Sequence, residues 1–189
     1  IAKLKVGPGT DPKNDIGPLV SQQSLHAVMA AIRQSQDNKM ELIYGGNRLT
    51  DGIHERGNFM EPTVLLGDSR NPKHIALRQE IFGPVAGFAR ISGLDDGIAA
   101  VNDNTHRHVA GIFTQDLDQA AKFIRRAKAG MIHVNNSTLG GDPQGPFGGQ
   151  GGDTSFGPQE MGPHAMEPFL RHKTVGVNNS GKVLGGRAR

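Results

Sequence analysis

The chain has 189 residues, 35% of them apolar, and a formal charge of +3, enough for one domain with a real core and an appended arm. Cysteine is absent, which excludes a disulfide framework, thiolate zinc sites and any cysteine nucleophile within these residues. Lys and Arg are scattered, the longest basic cluster being Arg125-Arg126 with Lys128, and a single Tyr with no Trp leaves little to stack on bases, so nucleic acid is not the expected partner; no apolar run approaches the roughly 20 residues of a membrane span.

The opening Ile1-Ala2-Lys3-Leu4-Lys5-Val6 has no initiator Met and no signal peptide, and reads as a piece of a longer protein. Residues 5–19 are dense in Gly and Pro and form a loop. Ser21 is placed to cap a helix that puts Leu25, Val28, Met29 and Ile32 on one face. Glu41 to Tyr44 makes a short buried strand ended by Gly45-Gly46, and a polar excursion runs to about residue 58. Pro62–Leu66 and Val85–Ile91 are the next strands. From residue 94 strands and helices alternate. Leu94, Ile98 and Val101 sit at helical spacing, and Val109–Thr114 reads as a buried strand. Leu117, Ala120, Ala121 and Ile124 give a helix stopped at Gly130 after a basic last turn, and Met131–Asn135 is a further strand. Helical crossovers between short buried strands imply an α/β fold with a mostly parallel sheet and flanking helices. Residues 136–162 lack periodicity, and an irregular stretch that long is functional or disordered. Lys173–Val177 is a last strand, far from the others.

Short motifs punctuate this pattern. EIFGPV stands at 80–85, with IGPL at 16–19, GNFMEPTVL at 57–65 and VAGIFTQD at 109–116 in the same order; AGMIHVN at 129–135, PFGG at 146–149 and KTVGVN at 173–178 follow. The ordered set resembles the aldehyde dehydrogenase superfamily over nearly the whole chain. Thr138, Gly140 and Asp142, between Asn135 and Pro146, are similar to bacterial semialdehyde dehydrogenases, whereas AGMIHVN is similar to aromatic aldehyde members. The family has a Rossmann-like coenzyme domain, a catalytic α/β domain and a small oligomerisation sheet. The resemblance therefore implies that residues 1–135 are the C-terminal portion of the catalytic domain. Residues 136–189 would be the return loop and the oligomerisation arm, with self-association as dimer or tetramer through the strand Lys173–Val177.

The implied chemistry oxidises an aldehyde to a carboxylic acid. A thiolate adds to the carbonyl, and the thiohemiacetal yields hydride to NAD or NADP. The family's cysteine, oxyanion Asn and base Glu all lie N-terminal to the motif that opens this chain. No catalytic residue is expected here, and the chain alone is expected to be inactive. What the resemblance leaves in the chain is Glu80, the ligand of the nicotinamide ribose, and Phe82, the aromatic beside that sugar. An ionised carboxylate suits a vicinal diol because it accepts two charge-assisted hydrogen bonds, and Gly83-Pro84 makes a stiff turn that fixes its direction. The bland alternative pairs Glu80 with Arg78. Phe147 lines the aldehyde tunnel by resemblance, or packs as a core ring under the glycines that follow it. Asn135 is read as an anchor for the next loop.

Two departures from the family pattern stand out. His106-Arg107-His108 replaces an aromatic-Gly-Leu triplet, and if that Gly uses positive φ, Arg107 is strained by roughly 1–2 kcal/mol. Gln150–Glu160 replaces the usual Lys-x-Ser-Gly pattern. His106 and His108 lie two apart, as metal ligands on a strand would, but no third ligand follows at a useful spacing, so no metal is expected. Two other functions compete with the enzyme portion. One is a truncated, non-catalytic relative acting as an assembly module; the other is an unrelated nucleotide-binding domain. The absence of cysteine and of a leader fits a cytoplasmic protein.

Overall fold

The computed structural model describes residues 1–140, 142–154 and 159–179. Ser21 starts the first regular element. Its backbone is extended and its hydroxyl accepts from the Ser24 amide at 3.0 Å, satisfying one of the N–H groups that a helix start leaves open. Helix α1 (Gln22–Asp37) buries Leu25, Val28 and Ile32, the face its apolar spacing predicts. Met60 joins them, and Leu19, Met29, Ile81 and Val85 pack around the cluster. Full burial of each such side chain contributes roughly 1.5–3 kcal/mol. Ile81 and Val85 flank Phe82-Gly83-Pro84, so the EIFGPV turn is seated on α1 by its own apolar residues.

Three strands form a first sheet in the order β1 (Glu41–Tyr44), β2 (Thr63–Gly67), β3 (Val85–Ala89). β2 and β3 are parallel, in register from Thr63 opposite Val85 to Gly67 opposite Ala89. β1 runs antiparallel to β2, with an irregularity between Leu42 and Tyr44. β4 (Val109–Ile112) and β5 (Met131–Val134) make a separate parallel pair. The expected single, mostly parallel sheet is thus corrected to one mixed and one parallel sheet, with no pairing of β3 and β4 among the described residues. The connection from β1 to β2 carries only the 3₁₀ turn Gly52–His54, and the chain returns antiparallel beside β1. β2 to β3, through the 3₁₀ turn Ile75–Leu77, and β4 to β5, through the helix Leu117–Arg126, make connections long enough for parallel pairing.

Burial also departs from expectation. β1 is an edge strand, with Ile43 and Tyr44 exposed, so it is not the buried strand its apolar residues suggest. β4 stops at Ile112 and is half-buried. Helices α2 (Leu94–Asn102) and α3 (Leu117–Arg126) cover the second sheet through a cluster of Ile98, Ala110, Phe123, Ala127 and Ala129. The face of α3 that packs is Ala120 and Phe123; Leu117 is 85% exposed and Ile124 also faces out. α3 ends at Arg126, with Ala127 already extended, before the glycine expected to stop it. Asp95 of α2 ties the pair, taking Lys122 at 2.7 Å and Arg126 at 2.6 Å; the Lys122 ammonium, foremost, holds its carboxyl below the usual range.

Lys173–Val177 forms no strand, and its side chains are exposed. A strand requires a neighbouring ladder, and this segment has none among the described residues. A 3₁₀ segment at Pro163–Phe169, not signalled by periodicity, precedes it. Among the described residues no helix is long and apolar enough to cross a membrane.

His54 fastens the N-terminal loop to this frame. Its Nε2 donates to the Val6 carbonyl at 2.9 Å, and its Nδ1 faces Asp51 Oδ1 at 3.2 Å, with Phe59 edge-on at 5.1 Å. Both ring nitrogens face acceptors, and only the imidazolium can donate to both. The Val6 carbonyl first, and then Asp51, raise its pKa against the cost of burial. A raised folded-state pKa stabilises below the unfolded value near 6.5 and is lost as pH rises through the folded value. His54→Gln is therefore expected to cost more stability at about pH 6 than at about pH 8.5. Denaturant midpoints at both pH values check this, and an equal cost at both would remove the proton from the account.

Candidate functional site

The 80–85 segment is rigid for local reasons. The Gly83 amide donates to the Ile81 carbonyl at 2.7 Å and the Val85 amide to the Gly83 carbonyl at 2.8 Å, while the Pro84 carbonyl accepts from Thr63 at the start of β2 at 2.8 Å. Ile81 and Val85 pack against the α1 cluster, whereas Phe82 and Glu80 face out. Phe82 is 78% exposed and the Glu80 side chain 57%.

Glu80 borders an open groove of ≈ 640 Å³ together with Gln79, Asn104, His106, His108 and Asp153. The carboxylate is not sealed in the core. Nor is it paired with Arg78, whose guanidinium instead reaches Asp103 at 2.7 Å and the Ser69 carbonyl at 2.9 Å and lowers the Asp103 pKa. The basic group facing Glu80 is His106, with Nε2 3.9 Å from Oε2.

The opposite wall consists of two loops laced together. The Asp153 amide donates to the Thr105 carbonyl at 2.9 Å, the Gly130 and Gln150 amides both reach the Arg107 carbonyl at 3.0 Å, and Met131 donates to His108 at 3.0 Å. Arg107 is not among the residues with positive φ, so the expected backbone strain is absent. Its backbone, held by those two donors just ahead of β4, gives the triplet no need of a glycine.

Phe147 is half-buried and exchanges backbone hydrogen bonds with Glu160 at 2.6 and 2.9 Å. Its ring meets His108 edge-on at 4.9 Å. Glu80 and Phe147 are therefore joined through His108, which borders the groove on one side and touches the phenyl ring on the other. Gly130 lies directly under Gly148 and Gly149, so β5 supports the turn that carries Phe147.

Asn135 has φ of +54°, and its side-chain amide both donates to the Thr114 carbonyl and accepts from the Thr114 amide, each at 2.8 Å. It anchors the loop after β5 to the end of β4, as expected. Sequence reasoning did not assign Gln79, Asn104 or Asp153 to the site; it set aside a metal role for His106 and His108 and noted them only as a departure from the family pattern. The signal that could have found the histidines was their place in a triplet that departs from the family pattern. Among the described residues no group of three or more His, Cys, Asp or Glu is arranged to hold a metal ion.

Residues 1–175 match the sequence model described as the aldehyde dehydrogenase family. The chain is 37% identical over 177 residues to 2,5-dioxopentanoate dehydrogenase of Saccharolobus solfataricus, covering 93% of this chain and 35% of the relative. It is 33% identical over 172 residues to alpha-ketoglutarate semialdehyde dehydrogenase of Haloferax volcanii, covering 91% and 35%. Among solved structures, Mycobacterium tuberculosis aldehyde dehydrogenase complexed with NAD+ superposes with a TM-score of 0.84 at 29% identity, over 97% of this chain and 36% of that one. A betaine aldehyde dehydrogenase from Staphylococcus aureus in complex with NAD+ gives 0.85 at 22% identity, over 100% and 36%, which speaks for the fold alone. The chain spans about a third of the length of the relatives it matches.

Proposed function

Because the chain belongs to the aldehyde dehydrogenase family, we propose that it is the C-terminal portion of an NAD(P)-dependent aldehyde dehydrogenase, whose nucleophilic cysteine is supplied from outside this sequence. Residues 1–135 contribute to the catalytic domain, and 136–189 form the return loop and the arm that joins another subunit. The observation that carries this reading is the groove at Glu80: the carboxylate, exposed on a rigid turn, lines it together with His108, and the His108 ring meets Phe147 edge-on.

Bound coenzyme supplies the hydride acceptor. Glu80 would hold its nicotinamide ribose, since an exposed carboxylate whose facing His106 stands 3.9 Å away can accept from both hydroxyls of a diol. Phe82, presented to solvent on the same turn, would cover the sugar. Phe147 would line the approach of the aldehyde while resting on His108. An aldehyde bearing a carboxylate, as in the semialdehydes named for the two archaeal relatives, is the substrate class this reading favours. The exposed segment at 173–177 is free for addition to a partner's sheet, giving a dimer or tetramer.

The full-length protein is expected to reduce NAD+ or NADP+ with 2,5-dioxopentanoate and to elute as an oligomer, whereas the present chain alone yields no product above buffer. Failure of the full-length protein on a broad aldehyde panel would sink the enzyme reading, and turnover by the chain alone would sink the external cysteine.

A further inference from the structure

The histidine opposite Glu80 is held by its backbone. The His106 amide donates to Asn104 Oδ1 at 2.8 Å, and His106 forms an antiparallel bridge with Gly152. Gly152 has φ of +70°, and a Cβ there would strike the Thr105 carbonyl, so the 151–153 turn is fitted onto the 104–106 loop. With the main chain pinned, only the side chains of His106 and Glu80 can adjust. They stand 3.9 Å apart, 37% and 57% exposed.

That spacing has different meanings in the two states of the ring. A neutral imidazole at 3.9 Å is beyond hydrogen-bond reach and leaves both carboxylate oxygens open to the groove. An imidazolium attracts the carboxylate, and closing the gap by about 1 Å completes a charge-assisted bond that occupies one oxygen. Histidine ordinarily changes charge between about pH 5 and 8. The other charged or titratable groups near the pair are His108 and Asp153 in the groove and, in the adjoining pocket that His106 also lines, Arg107, Lys128 and Arg78, the last committed to Asp103.

We propose that His106 is a positioning residue that competes with coenzyme for Glu80: protonated, it draws the carboxylate off the ribose, and neutral, it releases it. Coenzyme affinity therefore falls on acidification, the opposite of what added positive charge alone would do to an anionic dinucleotide. The inference rests on the reading of Glu80 as the ribose ligand.

The test is calorimetric titration of the full-length protein with NAD+ at about pH 5.5 and about pH 8. Wild type is expected to bind about three- to fivefold more weakly at the lower pH, the scale of one partly exposed ion pair. His106→Gln should bind at both values as wild type does at the higher one, and His106→Lys, cationic throughout, should bind weakly at both. Glu80→Gln should be weak at both. If H106Q keeps the wild-type pH dependence, or H106K binds as wild type does at the higher pH, while E80Q has lost affinity, the competition is overturned and the ribose reading stands. If E80Q binds as wild type does, both fall together.

Discussion

Glu80→Gln in the full-length protein is expected to raise the coenzyme Kd by about 10- to 100-fold at neutral pH, with a smaller change in kcat once coenzyme is saturating. The magnitude follows from the kind of bond lost. A hydrogen bond to a charged group is worth roughly 1.5–3 kcal/mol net, and glutamine keeps the shape but offers a single neutral acceptor. The residue stands beside a turn fixed by its own amides and by Thr63, so the main chain that presents the carboxylate does not have to be ordered on binding. Because the side chain is exposed, the substitution costs the fold little, and lost affinity cannot be ascribed to unfolding if the thermal midpoint is unchanged. Coenzyme titration and steady-state kinetics measured together decide it. A Kd within twofold of wild type removes Glu80 from the coenzyme site.

Gly130→Ala is the second large effect. A methyl group at this position would run into the Gly148 carbonyl and crowd Gly149. The obstacle is backbone, which cannot rotate away as a side chain can. Overpacking of this kind typically costs 1–3 kcal/mol, and here the displaced strand of chain carries Phe147 and its contact with His108. The variant should lose about 2 kcal/mol of stability and raise the aldehyde KM, while coenzyme Kd, governed by the 80–85 turn, stays near wild type. Denaturant unfolding with separate KM values for the two ligands tests the split. Unchanged stability would mean the close approach is not held in solution, and equal loss of both affinities would mean that the two ends of the groove are not independently supported.

What could be read in advance divides along the range of the forces involved. Ser21, the Leu25–Ile32 face and the strands that begin near Thr63 and Val85 are local matters of capping and periodicity, and they came through. β1 looked buried because Leu42 and Ile43 are apolar, but burial is decided by what lies beyond a strand, and it sits at an edge. α3 was misphased because Leu117 falls in the first turn, where packing is optional, whereas the small Ala120 lets the helix settle through Phe123. Arg78 was a plausible mate for Glu80 by proximity in sequence. It found Asp103, 25 positions away, because a crossover brings α2 beside it. The groove residues from 104–108 and 150–154 were illegible for the same reason: their meeting depends on two loops laced by main-chain bonds that leave no mark on side-chain pattern.

The Asn135 amide repeats, in a side chain, the donor and acceptor of a peptide group, and so adds one rung to the β4–β5 ladder after the strand has ended. Few residue types could replace it. Aspartate has the length but no hydrogen to give the Thr114 carbonyl, glutamine has both groups on too long a stem, and glycine would accept the left-handed backbone while leaving Thr114 unmatched. Drift at this position should accordingly be narrow even though the side chain lies on the surface, a constraint imposed by geometry where burial imposes none.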